Sequence, residues 1–89
     1  MLYNLYIGAN NETGIVEKEK AIALISKTFQ GLTVQNSQGY WQSKPENSIV
    51  VSIETDDETS ILQVAKQLTV ELQQQAVGVA KIGKMEFIS

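Results

Sequence analysis

The order of elements read along the chain, strand–helix–strand–strand–helix–strand, predicts an α+β domain of the ferredoxin-like, split βαβ kind. Three observations carry that prediction. Two stretches repeat apolar residues at helical spacing, the segments around them alternate or are β-branched, and nothing resembling a linker or an internal repeat interrupts the 89 residues. Both crossovers are expected to be right-handed, which sets the two helices on one side of a four-stranded antiparallel sheet and leaves its other face open.

Leu2 to Ile7 is short and aromatic-rich and stops at Gly8, as a first strand does, with Tyr3, Leu5 and Ile7 on its core side. Gly8 to Gly14 is a turn-rich loop. From Ile15 to Phe29, Ala21, Ile22, Leu24, Ile25 and Phe29 recur at three and four, giving an amphipathic helix that Gly31 is placed to close in the left-handed conformation. The stretch Gly31 to Trp41 organises the middle of the chain: Leu32 to Gln35 reads as a second strand and Asn36 to Gly39 as either a tight turn or a bulge that kinks at Gly39 before Tyr40-Trp41-Gln42 resumes, one bent strand being the favoured form. Ser43 to Ser48, with the single Pro, reads as the turn of a hairpin, and Ile49 to Ile53 as the third strand. Thr55-Asp56-Asp57-Glu58 fits a capping box ahead of a second helix with Ile61, Val64, Ala65, Leu68 and Leu72 as its buried stripe. Ala76 to Ile88 reads as a last strand, in one piece or two. The open face then carries Leu2, Asn4, Tyr6, Thr33, Gln35, Val50, Ser52 and Glu54.

Composition excludes whole classes of chemistry. Cys and His are absent, so thiol or imidazole nucleophiles, Ser-His-Asp triads, disulfides and thiolate metal sites are impossible. All seven basic residues are Lys, which removes the planar guanidinium fork for phosphate or guanine. A net charge of -3 and a pI near 4.8 oppose stable nucleic-acid binding. No run approaches a membrane span and the N-terminus has no signal-peptide pattern, so the expectation is a soluble, cytoplasmic protein of one domain, residues 1 to 89, with no membrane contact and no cofactor.

The spacing Gly31-Leu32-Thr33-Val34, four residues, Gly39, one residue, Trp41 resembles the signature of an uncharacterised bacterial domain-of-unknown-function family of small α+β proteins. Leu5-Tyr6-Ile7-Gly8 and Ser48 to Glu54 are similar to that family's opening and central strands. Phe29-Gln30-Gly31 departs from the family's Phe-Pro-Asp-Gly, and the central strand is less charged. The resemblance implies a fold and no activity.

The candidate ligand-binding residues are Tyr6, Asn10, Asn11, Gly39, Tyr40 and Trp41. Asn10 and Asn11 lie in a strand-to-helix loop whose amides face a helix start, although the loop lacks the Lys or Arg of a phosphate fingerprint and the Arg with which acylphosphatases clamp substrate. Tyr40, Trp41 and Tyr6 offer flat faces for stacking, or packing area for the core. The third strand lacks the aromatic and basic residues of the RNA-recognition version of the fold. Asp56, Asp57 and Glu58 suit a helix N-terminus better than a cation cage. The expectation is therefore a non-enzymatic, self-associating binding module, a homodimer or larger, for a small molecule or nucleotide; small phage proteins that sequester signalling nucleotides against host immunity have this size and shape. The alternatives are a cofactor-independent dimeric α+β barrel enzyme, with Asn4, Tyr6 and Trp41 around an apolar pocket, and a purely structural, protein-interaction subunit.

Overall fold

The computed structural model of the chain describes residues 1–74 and 76–84, with Trp41 described in its backbone alone. Its elements are β1 (Leu2–Gly8), α1 (Lys18–Ser26), β2 (Thr33–Trp41), β3 (Lys44–Glu54), α2 (Glu58–Glu71) and β4 (Gly78–Gly83). The expected α+β, ferredoxin-like order is present. One antiparallel sheet has the order β2-β3-β1-β4. None of the described helices is long and apolar enough to cross a membrane.

The two faces of the sheet follow from strand alternation. Tyr3, Leu5 and Ile7 of β1 and Ile49, Val51 and Ile53 of β3 are buried toward the helices. Ala21 and Ile25 of α1 and Ile61, Val64, Ala65, Leu68 and Leu72 from α2 and its end close over them. At about 25 cal/mol per Å² of apolar surface, burial of such a layer is the main stabilising term for a chain this small.

Several local features differ from the sequence reading. Helix α1 is shorter than Ile15 to Phe29 at both ends. The Asn10 N–H donates to the Ile15 carbonyl and the Ile15 N–H to Thr13 Oγ1, which ties the would-be first turn into the preceding loop. At the far end, the N–H groups of Thr28 and Phe29 both donate to the Ile25 carbonyl at 3.0 Å, so the helix closes before Gly31. Gly31 is not left-handed; the described glycines with positive φ are Gly14 and Gly83. Left-handed closure occurs instead after α2, at Gln73 (φ 51). There Gln74 N–H donates to the Thr69 carbonyl and Gln73 N–H to the Val70 carbonyl, the paired bonds of a Schellman motif built without glycine.

Gly39 makes neither kink nor bulge. β2 pairs with β3 in unbroken register from Thr33↔Ser52 to Trp41↔Lys44. The turn is only Gln42-Ser43, with φ of 50 and 63, the mirror-image geometry that matches strand twist, so most of the expected Ser43–Ser48 loop is strand. Pro45 is tolerated because ladder bonds alternate sides: the pair flanking a two-residue turn is hydrogen-bonded, which points the nitrogen of Pro45 away from β2. On that side β1 has already ended, its last pair being Gly8↔Ser48.

The second helix is capped two residues later than the capping box implies. Asp57 Oδ1 accepts from the Ser60 N–H at 3.1 Å and Asp57 Oδ2 from the Ser60 hydroxyl, while Thr55 Oγ1 accepts from the Asp57 N–H. Of the last stretch, Gly78–Gly83 is one strand; residues 85–89, within the predicted Ala76 to Ile88, lie outside the described residues.

Two outcomes are expected. Replacing Gln42-Ser43 by Asn-Gly puts at these two left-handed positions a residue that tolerates the conformation and one with no Cβ to strain, and raises stability by about 1 kcal/mol, measured by urea denaturation. The Ser60 hydrogen bonds hold the Asp57 carboxyl below its ordinary pKa, so its contribution is fully present above the ordinary carboxylate pKa and is lost as pH falls from there through the lowered pKa of the folded state. Asp57→Ala should accordingly lower the melting temperature at neutral pH by about 4–8 °C and flatten its decline in acid.

Candidate functional site

β3 outruns β1. Beyond Gly8↔Ser48, four further pairs, Gln38↔Asn47 to Trp41↔Lys44, form a two-stranded arm with no β1 beside it. The arm projects by roughly 13 Å at about 3.3 Å per residue. On its helix side an open groove of about 730 Å³ is walled by Gln38, Pro45, Glu46 and Asn47 of the arm, by Gly8 to Asn11 with Gly14, and by Gln74 and Ala76. That volume lies within the range of small-molecule sites.

The amides of the groove fall into two groups. Asn10 is buried at 7% exposure, and every polar atom of its side chain is engaged. Its Oδ1 accepts from the N–H groups of Glu12 (2.8 Å) and Thr13 (3.2 Å), and its Nδ2 donates to the Leu72 carbonyl (3.4 Å). Asn10 therefore shapes the loop and anchors it to the end of α2. Gln74, aimed by the Schellman turn, accepts from the Gly8 N–H through Oε1 (3.1 Å) and donates to the Gly8 carbonyl through Nε2. The β1–β4 ladder ends at Tyr6↔Gly78, so this amide stands where a β4 residue would continue it. Asn11, Gln38 and Asn47 are exposed. Among the described hydrogen bonds, the side chains of Asn11 and Asn47 have no partner, and Gln38 only accepts, from the Tyr40 hydroxyl at 3.3 Å.

The remaining candidates lie elsewhere. Tyr6 is on the open face of the sheet, 45% exposed. There Ser52 donates to Asn4 Oδ1 (2.7 Å) and Asn4 Nδ2 to the Tyr6 hydroxyl (3.4 Å), and a Cβ on Gly78 would come within 3.3 Å of Tyr6 Cβ, so β4 passes beside this residue without a side chain. Asn4 and Tyr6 thus share a surface ladder, while the space between sheet and helices is filled by the apolar core. Gly39 and Tyr40 are on the arm, with Tyr40 70% exposed on the same strand face as Gln38. The Trp41 side chain lies outside what the structure describes. Structure therefore brings Asn10 and Asn11 into one groove and leaves Tyr6 on the opposite face of the sheet.

No family model and no curated protein matches the chain. The chain has the fold of a solved DUF3240 protein. That crystal structure, of a DUF3240 family protein from Shewanella baltica OS155, superposes with a TM-score of 0.60 over 99% of this chain and 96% of the other, at 11% identity. A likeness at that identity speaks for the architecture. It agrees in kind with the resemblance to an uncharacterised α+β family, without bearing on the Gly31 to Trp41 spacing.

The acidic run sits at the opposite end of the sheet. Asp57 caps α2, Asp56 pairs with the Met1 amino group (3.4 Å), and Glu58 accepts from the Tyr3 hydroxyl (3.1 Å) and meets Lys81 Nζ (3.4 Å). Burial and the neighbouring Glu58 carboxylate raise the Tyr3 pKa above that of a free phenol. These partners assign the run a structural role. Gln38, Asn47 and Gln74 escaped the sequence reading because each is an ordinary polar residue in its own element. A glutamine immediately after a helix was the one available signal, since a helix end is where a side chain can reach the adjacent strand terminus.

Gln74→Leu should leave both polar groups of the Gly8 peptide without their partner and cost about 1–3 kcal/mol in chemical denaturation, whereas Asn47→Leu on the exposed wall should change stability by less than about 0.5 kcal/mol.

Proposed function

We propose that the chain is a small, non-enzymatic, self-associating binding module. It holds a neutral, hydrogen-bonding small molecule, such as the base or sugar of a nucleotide signal, in the groove beneath the β2–β3 arm. The observation that carries this reading is the set of exposed amides, Asn11, Gln38 and Asn47, around one concave site whose shape is fixed by the fully engaged Asn10 and Gln74. Side-chain amides present a donor and an acceptor side by side and suit the edges of bases and the hydroxyls of sugars. Among the described lining residues Glu46 is the one charged side chain, which disfavours phosphate in the groove and leaves no acid–base pair for catalysis.

A thermal-shift panel of the common nucleosides, their monophosphates and simple sugars tests the reading. At least one neutral compound should raise the melting temperature, with stabilisation approaching about 2.7 kcal/mol at a concentration of a hundred Kd. Its monophosphate should bind no more tightly, and Asn47→Leu should abolish the shift. A panel in which no neutral compound raises the melting temperature overturns the proposal.

A further inference from the structure

We infer that the free edge of β2 is the self-association surface, and that its occupant is β2 of a second copy, paired antiparallel about Ser37 into a continuous sheet. This deepens the self-associating half of the proposed function and is independent of the ligand.

The two edges of the sheet are built differently. β4 is six residues long, its pairing with β1 shifts between Leu2 and Tyr3, and it carries Lys81, all devices that discourage strand addition. β2 is nine residues, Thr33–Trp41, in unbroken register, with no charge, no proline and no bulge. Of the two edge strands, the uncharged one can meet its own copy without repulsion in an acidic chain. The arm supplies a second, separate reason. A two-stranded ribbon is marginally stable in water until a third strand joins it, and the four pairs beyond Gly8 have only one another.

Backbone parity fixes the register. Because Trp41↔Lys44 flanks the two-residue turn and is hydrogen-bonded, the odd residues of β2 bond to β3 and the even ones, Val34, Asn36, Gln38 and Tyr40, direct N–H and C=O outward. Among the described residues no backbone hydrogen bond outside the sheet uses them. Antiparallel self-pairing about Ser37 sets Asn36 against Gln38 and Val34 against Tyr40, both hydrogen-bonded pairs. It engages the whole strand and satisfies roughly eight edge bonds at once.

Light scattering from micromolar to millimolar concentration should give a mass twice the 9.8 kDa of the chain. In the wild-type protein, amide hydrogen exchange at Val34, Asn36, Gln38 and Tyr40 should slow as dimer forms. Asn36→Pro, which removes an outward N–H and none from the β3 ladder, should raise the dimer Kd at least about tenfold with an unchanged circular dichroism spectrum. A dimer whose edge amides exchange as in the monomer, or one that Asn36→Pro leaves intact, overturns the edge pairing alone. A monomer at every concentration overturns both this inference and the self-association in the proposed function.

Discussion

The length of β1 relative to its neighbours is the constraint on which the rest of the molecule depends. β1 is central, paired to β3 on one side and β4 on the other, and stops at Gly8. β3 runs on through Lys44–Asn47. Had β1 continued, the hairpin would be an ordinary part of the sheet, and Pro45 would be deprived of the one environment in which its missing donor costs nothing. Because β1 stops, the hairpin becomes an arm, the end of β1 needs a polar cap, and the space between arm and helix ends becomes a groove. The Gln74 amide supplies the cap from the α2 terminus, which links the shape of the groove to the closure of that helix.

That coupling makes the shape of the groove depend on small polar details more than on the core. The core is an apolar layer of strand and helix residues, and its tolerance to volume-conserving exchange is that of any such layer. The groove instead depends on two amides that replace backbone partners. Asn10 imitates a turn for Glu12 and Thr13, and Gln74 imitates a strand for Gly8. Each is a local event at a helix or strand terminus, where orphan donors and acceptors accumulate.

How much was legible in the sequence follows the same division. Periodicities of two and near 3.6 gave the order of the elements and the buried faces of β1, α2 and the Ile49–Ile53 part of β3, because burial dictates residue type along a whole segment. Terminus chemistry was legible only by habit. Glycine was expected to close α1, yet the closing bonds converge on Ile25 before Gly31, and the left-handed closure occurs at Gln73. The box Thr55 to Glu58 matched a pattern that Asp57 fulfils with Ser60 instead. Gly39 suggested a bulge in a strand whose register never shifts, since glycine permits a break without requiring one. Of the residues that line the candidate groove, Asn10 and Asn11 were singled out from a strand–loop–helix context. Their partners across the groove were not, since they are separated in sequence and joined only by where β1 ends.

The distinction between engaged and free amides bears on what the groove can select. An amide already bonded at both ends, such as Gln74, is a wall: rotating it to meet a ligand would strip the Gly8 peptide of its partners, a loss comparable to the gain. An amide with open valences, such as Asn47, faces water and would exchange it for a ligand at little net enthalpy, so its contribution would be discrimination more than affinity. Under the proposed function, a groove framed by the first kind and lined by the second would be pre-shaped and weakly attractive, and would gain affinity mainly from fit. Under that reading, rigidity of the arm would set binding strength, because Gln38 and Asn47 stand on a ribbon with a single strand pairing. Anything that stiffens β2 along its free edge would reduce the ordering cost at these two residues, which couples the edge of the sheet to the groove through the arm they share.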